Sequence, residues 1–221
     1  MKRMKTGFLI AEAMLYAAFL ALDLTGAAPA VSTGLKFASI VLVALAGLTT
    51  IKTADGKIVA AALALTAAAD VFLLVLDTNY IAGVALFISV QALYTIRLCA
   101  LSGTNRTLHL TARVMLAGFA AALLGARFGR IEMLAAAYIV WFFMNLAHSI
   151  ALAAQLRTER TSRFAIGLGL FFLCDVCVGL HNLPQNALSG FAAVAMWAFY
   201  LPGQVLIALS AGCFGGQDEE I

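Results

Sequence analysis

Two aspartates interrupt long apolar segments of the chain. Asp70 lies within IVAAALALTAAADVFLLVL, and Asp175 lies within FAIGLGLFFLCDVCVGL. An ionisable side chain at the depth of a lipid bilayer is costly and rare, so two of them indicate a functional site. A pair of carboxyl groups can act as acid and base on a substrate, or can form the binding or proton-coupling site of a transporter.

Other polar side chains in apolar segments are candidates for the same site. Gln91 and Tyr94 are three residues apart, and Tyr200 and Gln204 are four apart, so each pair shares one helix face. Pro202 lies within the second pair and is expected to kink its helix and open backbone carbonyls to the interior. Hydrogen bonding between helices is the alternative explanation for these four side chains.

Membrane-spanning helices must position these residues. Of the 221 residues, 63% are hydrophobic and 11% are charged, whereas about 25% are charged in ordinary soluble domains. Apolar segments close to the roughly 20 residues that a helix needs to cross the hydrocarbon core recur along the whole chain. We predict an all-α polytopic bundle of eight transmembrane helices in one domain, residues 1–221. The spans are expected at about 6–23, 35–51, 58–76, 80–101, 108–126, 131–156, 164–182 and 188–213.

The basic residues predict which way the spans run. With the N-terminus inside, the cytoplasmic side holds 11 of the 14 Lys and Arg residues, and Lys36, Arg127 and Arg130 remain outside. This is a clear positive-inside bias, so both termini are predicted to be cytoplasmic. The acidic end, Gln217 to Ile221, is expected to be a short disordered tail. The net charge of +3 comes from the basic flanks and implies no nucleic-acid partner.

The predicted topology places the two aspartates at one level. The third and seventh spans both run outward, and Asp70 and Asp175 lie twelve and eleven residues into them. At about 1.5 Å per residue, the two carboxyls have nearly equal depth, past the midplane toward the outside, where they can face one another. Gln91 has a matching depth on the fourth span. The strings ADVFLLVLDTN and CDVCVGLHN also resemble each other weakly, which allows a parallel 4+4 internal repeat.

The four cysteines add little chemistry. Cys174 and Cys177 form a C-x-x-C, a spacing that suggests metal or redox chemistry in a soluble protein. At bilayer depth we favour packing of small, polarisable side chains. We therefore expect no disulfide and no metal site, and the same holds for Cys99 and Cys213.

Six segments follow one another in a distinctive order. They are the lysine that opens the second predicted span (Lys36), AADVFLL with Asp70, FISVQALY with Gln91 and Tyr94, YIVWFFM with Tyr138, GLFFLCD with Asp175, and YLPGQVLIALS with Tyr200 and Gln204. Together they resemble the YhhN/TMEM86 family of lysoplasmalogenase-like membrane proteins, which is likewise built of eight spans. The resemblance covers spans two to eight. The family commonly has His where this chain has Gln91, and Gly and Ser before the two aspartates, where this chain has Ala69 and Cys174.

The resemblance implies hydrolysis of the vinyl ether bond of lysoplasmalogens, which gives a fatty aldehyde and glycerophosphoethanolamine or glycerophosphocholine. Such a bond is cleaved by protonation of its terminal alkene carbon and addition of water to the resulting oxocarbenium ion. Asp70 and Asp175 are the expected catalytic pair, with one shared proton, because two close like charges in low dielectric do not both ionise readily. Either of them can be the acid. The expected substrate-binding residues are Lys36 for the phosphate and, for the water and the ether oxygen, Gln91, Tyr94, Tyr200 and Gln204.

Two other functions remain open with the same aspartates. One is a lipid or small-molecule transporter or binding protein, and the other is a hydrolase of another lipid. Gln91 does not titrate near neutral pH, so a proton-shuttling role of the family's His would not carry over to this chain. No cofactor is required. The expected partners are a lysophospholipid substrate and membrane lipids, and the expected location is the cell membrane, as a multi-pass protein.

Overall fold

The computed structural model describes residues 2–125, 129–183 and 187–212, and these form helices and short connections. The helices are α1 (Lys2–Thr25), α2 (Pro29–Leu48), α3 (Ala54–Asp70), α4 (Tyr80–Ser102), α5 (Arg106–Gly125), α6 (Arg130–Leu156), α7 (Glu159–Asn182) and α8 (Ser189–Ser210). A π-helical turn, Val71–Val75, extends α3. All eight helices are long and apolar enough to cross a membrane. The predicted all-α bundle of eight spans is confirmed, and the chain is an integral multi-pass membrane protein.

Local capping explains why several helices begin earlier than the apolar segments do. The Thr53 side chain accepts a hydrogen bond from the Gly56 N–H at the start of α3, and Thr158 accepts one from Thr161 at the start of α7. Pro29 occupies the first turn of α2, where its missing N–H costs nothing. The predicted starts at residues 35, 58 and 164 were therefore wrong by four to six residues.

Helices α4 and α8 are the most buried of the eight. Helix α4 contacts α3, α5 and α6, and α8 contacts α1, α2, α3 and α7. Helices α7 and α8 approach each other closely, because a Cβ at Gly167 would lie 2.9 Å from the Gly203 carbonyl oxygen. A Cβ at Gly203 would lie 3.0 Å from the Gly167 oxygen, so both glycines are needed for this contact. Small residues at such crossings let helix backbones approach closely in membranes.

Proline 202 frees a backbone carbonyl, as predicted, and another helix satisfies it. Helix α8 continues through Pro202, which has no N–H to donate to Ala198, four residues earlier. The Tyr16 hydroxyl of α1 donates a 3.0 Å hydrogen bond to the Ala198 oxygen instead. This bond attaches α1 to the central helices at the point where α8 has lost one of its own bonds.

A buried ion pair closes the end of the bundle where α3 begins and α4 and α8 end, called here the Arg97 end. The fully buried guanidinium of Arg97 donates to both Asp55 carboxylate oxygens, at 2.8 and 3.0 Å, and to the Ser210 hydroxyl at 2.7 Å. Arg160 pairs with the same carboxylate at 2.7 Å. We had counted Arg97 and Arg113 only as cytoplasmic flanks, but both side chains are buried between helices.

Three predictions fall on residues that the structure does not describe. Arg127, Cys213 and the Gln217 to Ile221 tail lie outside the described ranges. Of the other cysteines, Cys99, Cys174 and Cys177 are buried free thiols. The cytoplasmic location of the termini stays a prediction.

Candidate functional site

Asp70 is the last residue of α3 and is 5% exposed. The small residues before it, Ala67 to Ala69, allow the neighbouring helices to approach this part of α3 closely. The π-helical turn begins directly after it, and π-helical turns inside helices occur frequently at functional sites. The carboxylate of Asp70 accepts a 2.5 Å hydrogen bond from the Tyr200 hydroxyl of α8.

Asp175 occupies the corresponding level on α7. From Ala54 to Asp70 and from Glu159 to Asp175 the chain advances by the same 16 residues, about 24 Å along each helix at 1.5 Å per residue. The carboxylate of Asp175 is partly buried and accepts a 2.6 Å hydrogen bond from the Tyr138 hydroxyl of α6. Each aspartate is thus held by a tyrosine from another helix.

The two carboxylates belong to one site. Asp70 and Asp175 lie within electrostatic reach of one another, and the Cys174 thiol and the Tyr200 hydroxyl lie within reach of both. The ring of Phe171 packs against Tyr200, with centroids 5.4 Å apart, and also against Phe87 and Phe142. These rings form an apolar cluster next to Tyr200, the hydrogen-bond partner of Asp70.

Gln91 lies in a buried polar network near Tyr138. Its side chain is fully buried, and among the described residues its side-chain nitrogen has no hydrogen-bond partner. The Asn145 amide of α6 donates to the Gln91 side-chain oxygen at 2.9 Å and to the Gln91 backbone oxygen at 2.8 Å. Arg113 of α5 donates to the Asn145 side-chain oxygen at 2.9 Å. Asn145 is thus the centre of a polar network behind Gln91.

Tyr94 and Gln204 lie in the interior but make no hydrogen bond to either aspartate. The Tyr94 ring packs edge to face on Phe164, 5.3 Å between centroids, in the direction of Arg97. Among the described residues, the Tyr94 hydroxyl and both polar atoms of the Gln204 amide have no hydrogen-bond partner. These groups occupy the level between the aspartates and the Arg97 end.

Lys36 was predicted to open its span, but it lies two turns inside α2. The predicted start at residue 35 missed the turns that Pro29 initiates. The Lys36 ammonium is 9% exposed and pairs with Asp23 of α1, 2.8 Å away. It also lies 4.8 Å from the Trp197 ring centroid, and that ring packs on Tyr200. Lys36 is therefore close to Tyr200, the hydrogen-bond partner of Asp70. It lies at the opposite end of the site from Arg97, and this end is called here the Lys36 end.

Several residues of this site were not predicted from the sequence. Asp23 was not predicted, Tyr138 was indicated only by the family resemblance, and Arg113 was predicted only as a cytoplasmic flank of a span. A signal existed on α6, because Tyr138 and Asn145 are seven residues apart and so share a face. No such signal marked Asp23, which lies near the end of α1 among residues typical of a helix terminus. Among the described residues, no three His, Cys, Asp or Glu side chains gather closely enough to hold a metal ion.

Comparison with known proteins gives one match. The model of the YhhN family matches residues 31–211, from the start of α2 to the end of α8. No curated protein and no solved structure matches the chain. The matched range contains both aspartates, both tyrosines that bind them, and Gln91 with its network. The chain belongs to the YhhN family.

Proposed function

We propose that this protein is an intramembrane hydrolase that cleaves the vinyl ether bond of lysoplasmalogens. The observation that carries the proposal is the carboxyl pair, the buried Asp70 and the partly buried Asp175, at one level and each bound by a tyrosine hydroxyl. Hydrolysis of a vinyl ether needs one group that gives a proton to carbon and one that takes a proton from water. Two interacting carboxyls with one proton between them supply both groups.

The reaction balances with one water. One carboxyl transfers its proton to the alkene carbon that does not bear oxygen, which leaves an oxocarbenium ion at the other carbon. The second carboxylate removes a proton from water as the water oxygen bonds to that carbon, which gives a hemiacetal. The hemiacetal then loses the glycerol oxygen, which takes a proton from the second carboxyl, while the first carboxylate recovers the hydroxyl proton. The products are a fatty aldehyde and the glycerophospho-base, and both carboxyls return to their starting states.

Tyr138, Tyr200 and Gln91 orient the reacting groups in this proposal. Tyrosine hydroxyls that donate to carboxylates fix the direction of the remaining carboxylate lone pairs. The Tyr94 hydroxyl and the Gln204 amide, which have no partner among the described residues, offer donors and acceptors for the attacking water. The family's usual His is replaced by Gln91, which performs the same positioning role without titrating.

The Lys36 end suits a zwitterionic head group. Lys36 and Asp23 form a neutral pair beside the aromatic rings of Phe19 and Trp197. A phosphate can bind the Lys36 ammonium if Asp23 pairs with the positive amine of ethanolamine or choline, and aromatic faces also favour such cations. An anionic head group without an amine would leave the partly buried Asp23 carboxylate without a positive partner, which is costly.

The hydrocarbon chain has a place on the side of the bundle. Two apolar grooves of about 470 and 490 Å³ meet at Phe172, one turn of α7 before Asp175. The first lies against α5 and α6 and includes Ile139 and Phe143, and the second lies along α6 and α7 and includes Gly169. In this proposal the hydrocarbon chain lies in these grooves, in contact with the bilayer, and its vinyl ether is directed toward Asp175.

Product analysis in heavy water tests the proposal. The purified protein in detergent is supplied with ethanolamine and choline lysoplasmalogens in deuterated water. We expect equal amounts of aldehyde and glycerophospho-base, with one deuterium on the aldehyde carbon next to the carbonyl, because that carbon receives the proton. Absence of aldehyde with both head groups would contradict the proposal. Movement of the lipid across vesicle membranes without cleavage would instead support a transporter.

A further inference from the structure

We propose that the apolar groove between α5 and α6 binds a long-chain fatty acid, whose carboxylate is held by Arg113, His109 and His148. These three residues are called here the Arg113 cluster. The cluster is separate from the carboxyl pair, and binding to it does not require the proposed function. Because the hydrocarbon chain of the proposed substrate uses the same groove, a bound fatty acid would compete with that chain.

Arg113 carries a buried positive charge without a counter-charge. It is 2% exposed, and among the described residues no carboxylate pairs with it. Its guanidinium donates to the Asn145 side-chain oxygen at 2.9 Å and to the His109 backbone oxygen at 3.2 Å. It also contacts the Nδ1 atoms of His109 and His148, at 3.1 and 3.3 Å. A buried charge with only neutral partners is costly, so an anion bound beside it would stabilise it.

The two histidines offer donors for such an anion. Arginine has no hydrogen-bond acceptor, so the Nδ1 atom of each ring must accept from Arg113, and the Nε2 atom then carries the proton. The rings of His109 and His148 stack with centroids 5.0 Å apart, and both residues are only partly buried. Neither Nε2–H group has a hydrogen-bond partner among the described residues. The cluster therefore combines one positive charge with two available N–H donors.

The Arg113 cluster lies at one end of an apolar groove. Leu116 and Ala120 line the groove from α5, and they follow Arg113 by three and seven residues, on the same helix face. Met144 lines the groove from α6, and His148 follows it by four residues, again on one face. The polar cluster thus continues both walls of the groove by one turn of helix.

The depth of the cluster suits a carboxylate at the membrane surface. Arg113 lies seven residues into α5 and His148 lies eight residues before the end of α6, about 10 to 12 Å along each helix. Helix α6 has 27 residues, about 40 Å, and so extends beyond a hydrocarbon core of about 30 Å. Phe119 and Phe143 in the groove are 64% and 60% exposed. A lipid can therefore enter the groove from the side, with its charged group toward the Arg97 end.

The charge and the shape of the site favour a fatty acid over a phospholipid. The groove of about 470 Å³ is within the range of about 300 to 1,000 Å³ that is typical of ligand pockets. A fatty acid brings one apolar chain for the groove and one negative charge for Arg113. A zwitterionic lipid would also bring an amine, and the described residues of the cluster include no carboxylate to pair with it. The Lys36 end differs in this respect, because Asp23 is present there.

Fluorescence quenching by a brominated fatty acid tests the site without any substrate. The chain has two tryptophans, and Trp141 adjoins the groove residue Val140, whereas Trp197 lies at the Lys36 end. In a Trp197→Phe protein in phosphatidylcholine nanodiscs, only Trp141 emits. We expect dibromostearate to quench this emission saturably at mildly alkaline pH, where the carboxyl is ionised. Dibromostearyl alcohol has the same chain without the charge and should need an at least tenfold higher concentration.

Two results of this titration would overturn the proposal. Equal quenching by the acid and the alcohol would show that the site does not recognise the charge. Displacement of the acid by phosphatidylglycerol at an equal fraction of the lipid would show that the occupant is an anionic phospholipid. Because no substrate is present, neither result bears on the hydrolysis of lysoplasmalogens.

Two pairs of variants separate the cluster from the groove. In Arg113→Met the acid should bind no better than the alcohol, whereas Arg106→Met removes an exposed charge from the same helix and should bind as wild type. Ala120→Phe fills the groove and should weaken acid binding at least tenfold, and Ala122→Phe, exposed on α5 outside the groove, is its control. Wild-type binding in Arg113→Met or Ala120→Phe would contradict the site. If Arg113→Met does not fold, the Ala120→Phe result and the acid and alcohol titrations still decide.

Discussion

The Tyr200 hydroxyl of α8 donates a 2.5 Å hydrogen bond to the Asp70 carboxylate of α3, although 130 residues of chain separate them. Tyr138 makes the equivalent 2.6 Å bond to Asp175 from α6. Helices α3, α6, α7 and α8 therefore meet at one pair of carboxyls, and each carboxyl is bound by a tyrosine from a different helix. This dependence makes the tyrosines the first residues to test.

Removal of either hydroxyl is expected to slow the reaction and leave the fold intact. A hydrogen bond to a charged group contributes about 1.5 to 3 kcal/mol, so Tyr138→Phe and Tyr200→Phe should each lower kcat about 10- to 100-fold. The rings keep their contacts with Phe87 and Phe171. Tyr80→Phe is the matched control, because its hydroxyl bonds the exposed Asp77. Rates of aldehyde release equal to wild type in both test variants would exclude the tyrosines from the mechanism.

Replacement of Gln91 tests whether the side chain at residue 91 must titrate or only has to orient its neighbours. Histidine can accept from Asn145 with one ring nitrogen and donate to Tyr138 with the other, so Gln91→His should retain activity within about tenfold. Gln91→Leu removes the side-chain oxygen that accepts from Asn145 and leaves only the backbone oxygen, and we expect at least a tenfold loss. The measurement is the steady-state rate with a lysoplasmalogen. A Gln91→Leu protein as active as wild type would show that the network behind Tyr138 has no part in catalysis.

The sequence predicts the number of membrane-spanning helices and their approximate positions, and the reason is physical. Apolar length determines how many helices cross a membrane, so eight spans follow from composition alone. Asp70 and Asp175 were predicted at equal depth because their two helices run the same way and start at comparable places. The starts of α3 and α7 were predicted four and five residues too late. Because the two errors are similar in size, the two aspartates are still placed at nearly equal depth.

The contacts of the site were not predictable in the same way. Hydropathy does not say which helices are neighbours, so the pairing of Asp70 with α8 and of Asp175 with α6 had no sequence signal. Lys36 was misplaced because the apolar pattern begins after the turns that Pro29 starts. The ion pair between Lys36 and Asp23 could not be expected while Lys36 was placed at the interface.

The ion pair at the Arg97 end should contribute much more to stability than a surface pair. Asp55→Asn leaves the fully buried Arg97 without its counter-charge, and loss of one partner of a buried pair costs about 3 to 5 kcal/mol. Glu159→Gln breaks the Glu159–Arg163 pair on the surface of α7 and should cost less than about 0.5 kcal/mol. Unfolding in mixed micelles with increasing denaturing detergent measures both. Equal losses for the two variants would contradict the buried role of Arg97.

The glycines between α7 and α8 offer a test of the packing. Gly203→Ala would place its methyl group 3.0 Å from the Gly167 oxygen and 3.1 Å from the Phe171 nitrogen, so the helices must separate. Gly169→Ala, on the same α7, meets only the Leu146 side chain at 4.0 Å. We expect a loss of about 1 to 3 kcal/mol for Gly203→Ala and no loss for Gly169→Ala, by the same unfolding assay. A Gly203→Ala protein as stable as Gly169→Ala would disprove the close crossing.

The rate of aldehyde release from a lysoplasmalogen by Asp70→Asn and Asp175→Asn proteins tests the catalytic pair most directly. Asparagine has the shape of aspartate but holds no acidic proton and accepts none, so each variant should lose about 100- to 10,000-fold in kcat. Asp77→Asn, at an exposed loop position with φ of 47°, is the control and should match wild type. Wild-type rates in both test variants would contradict the account.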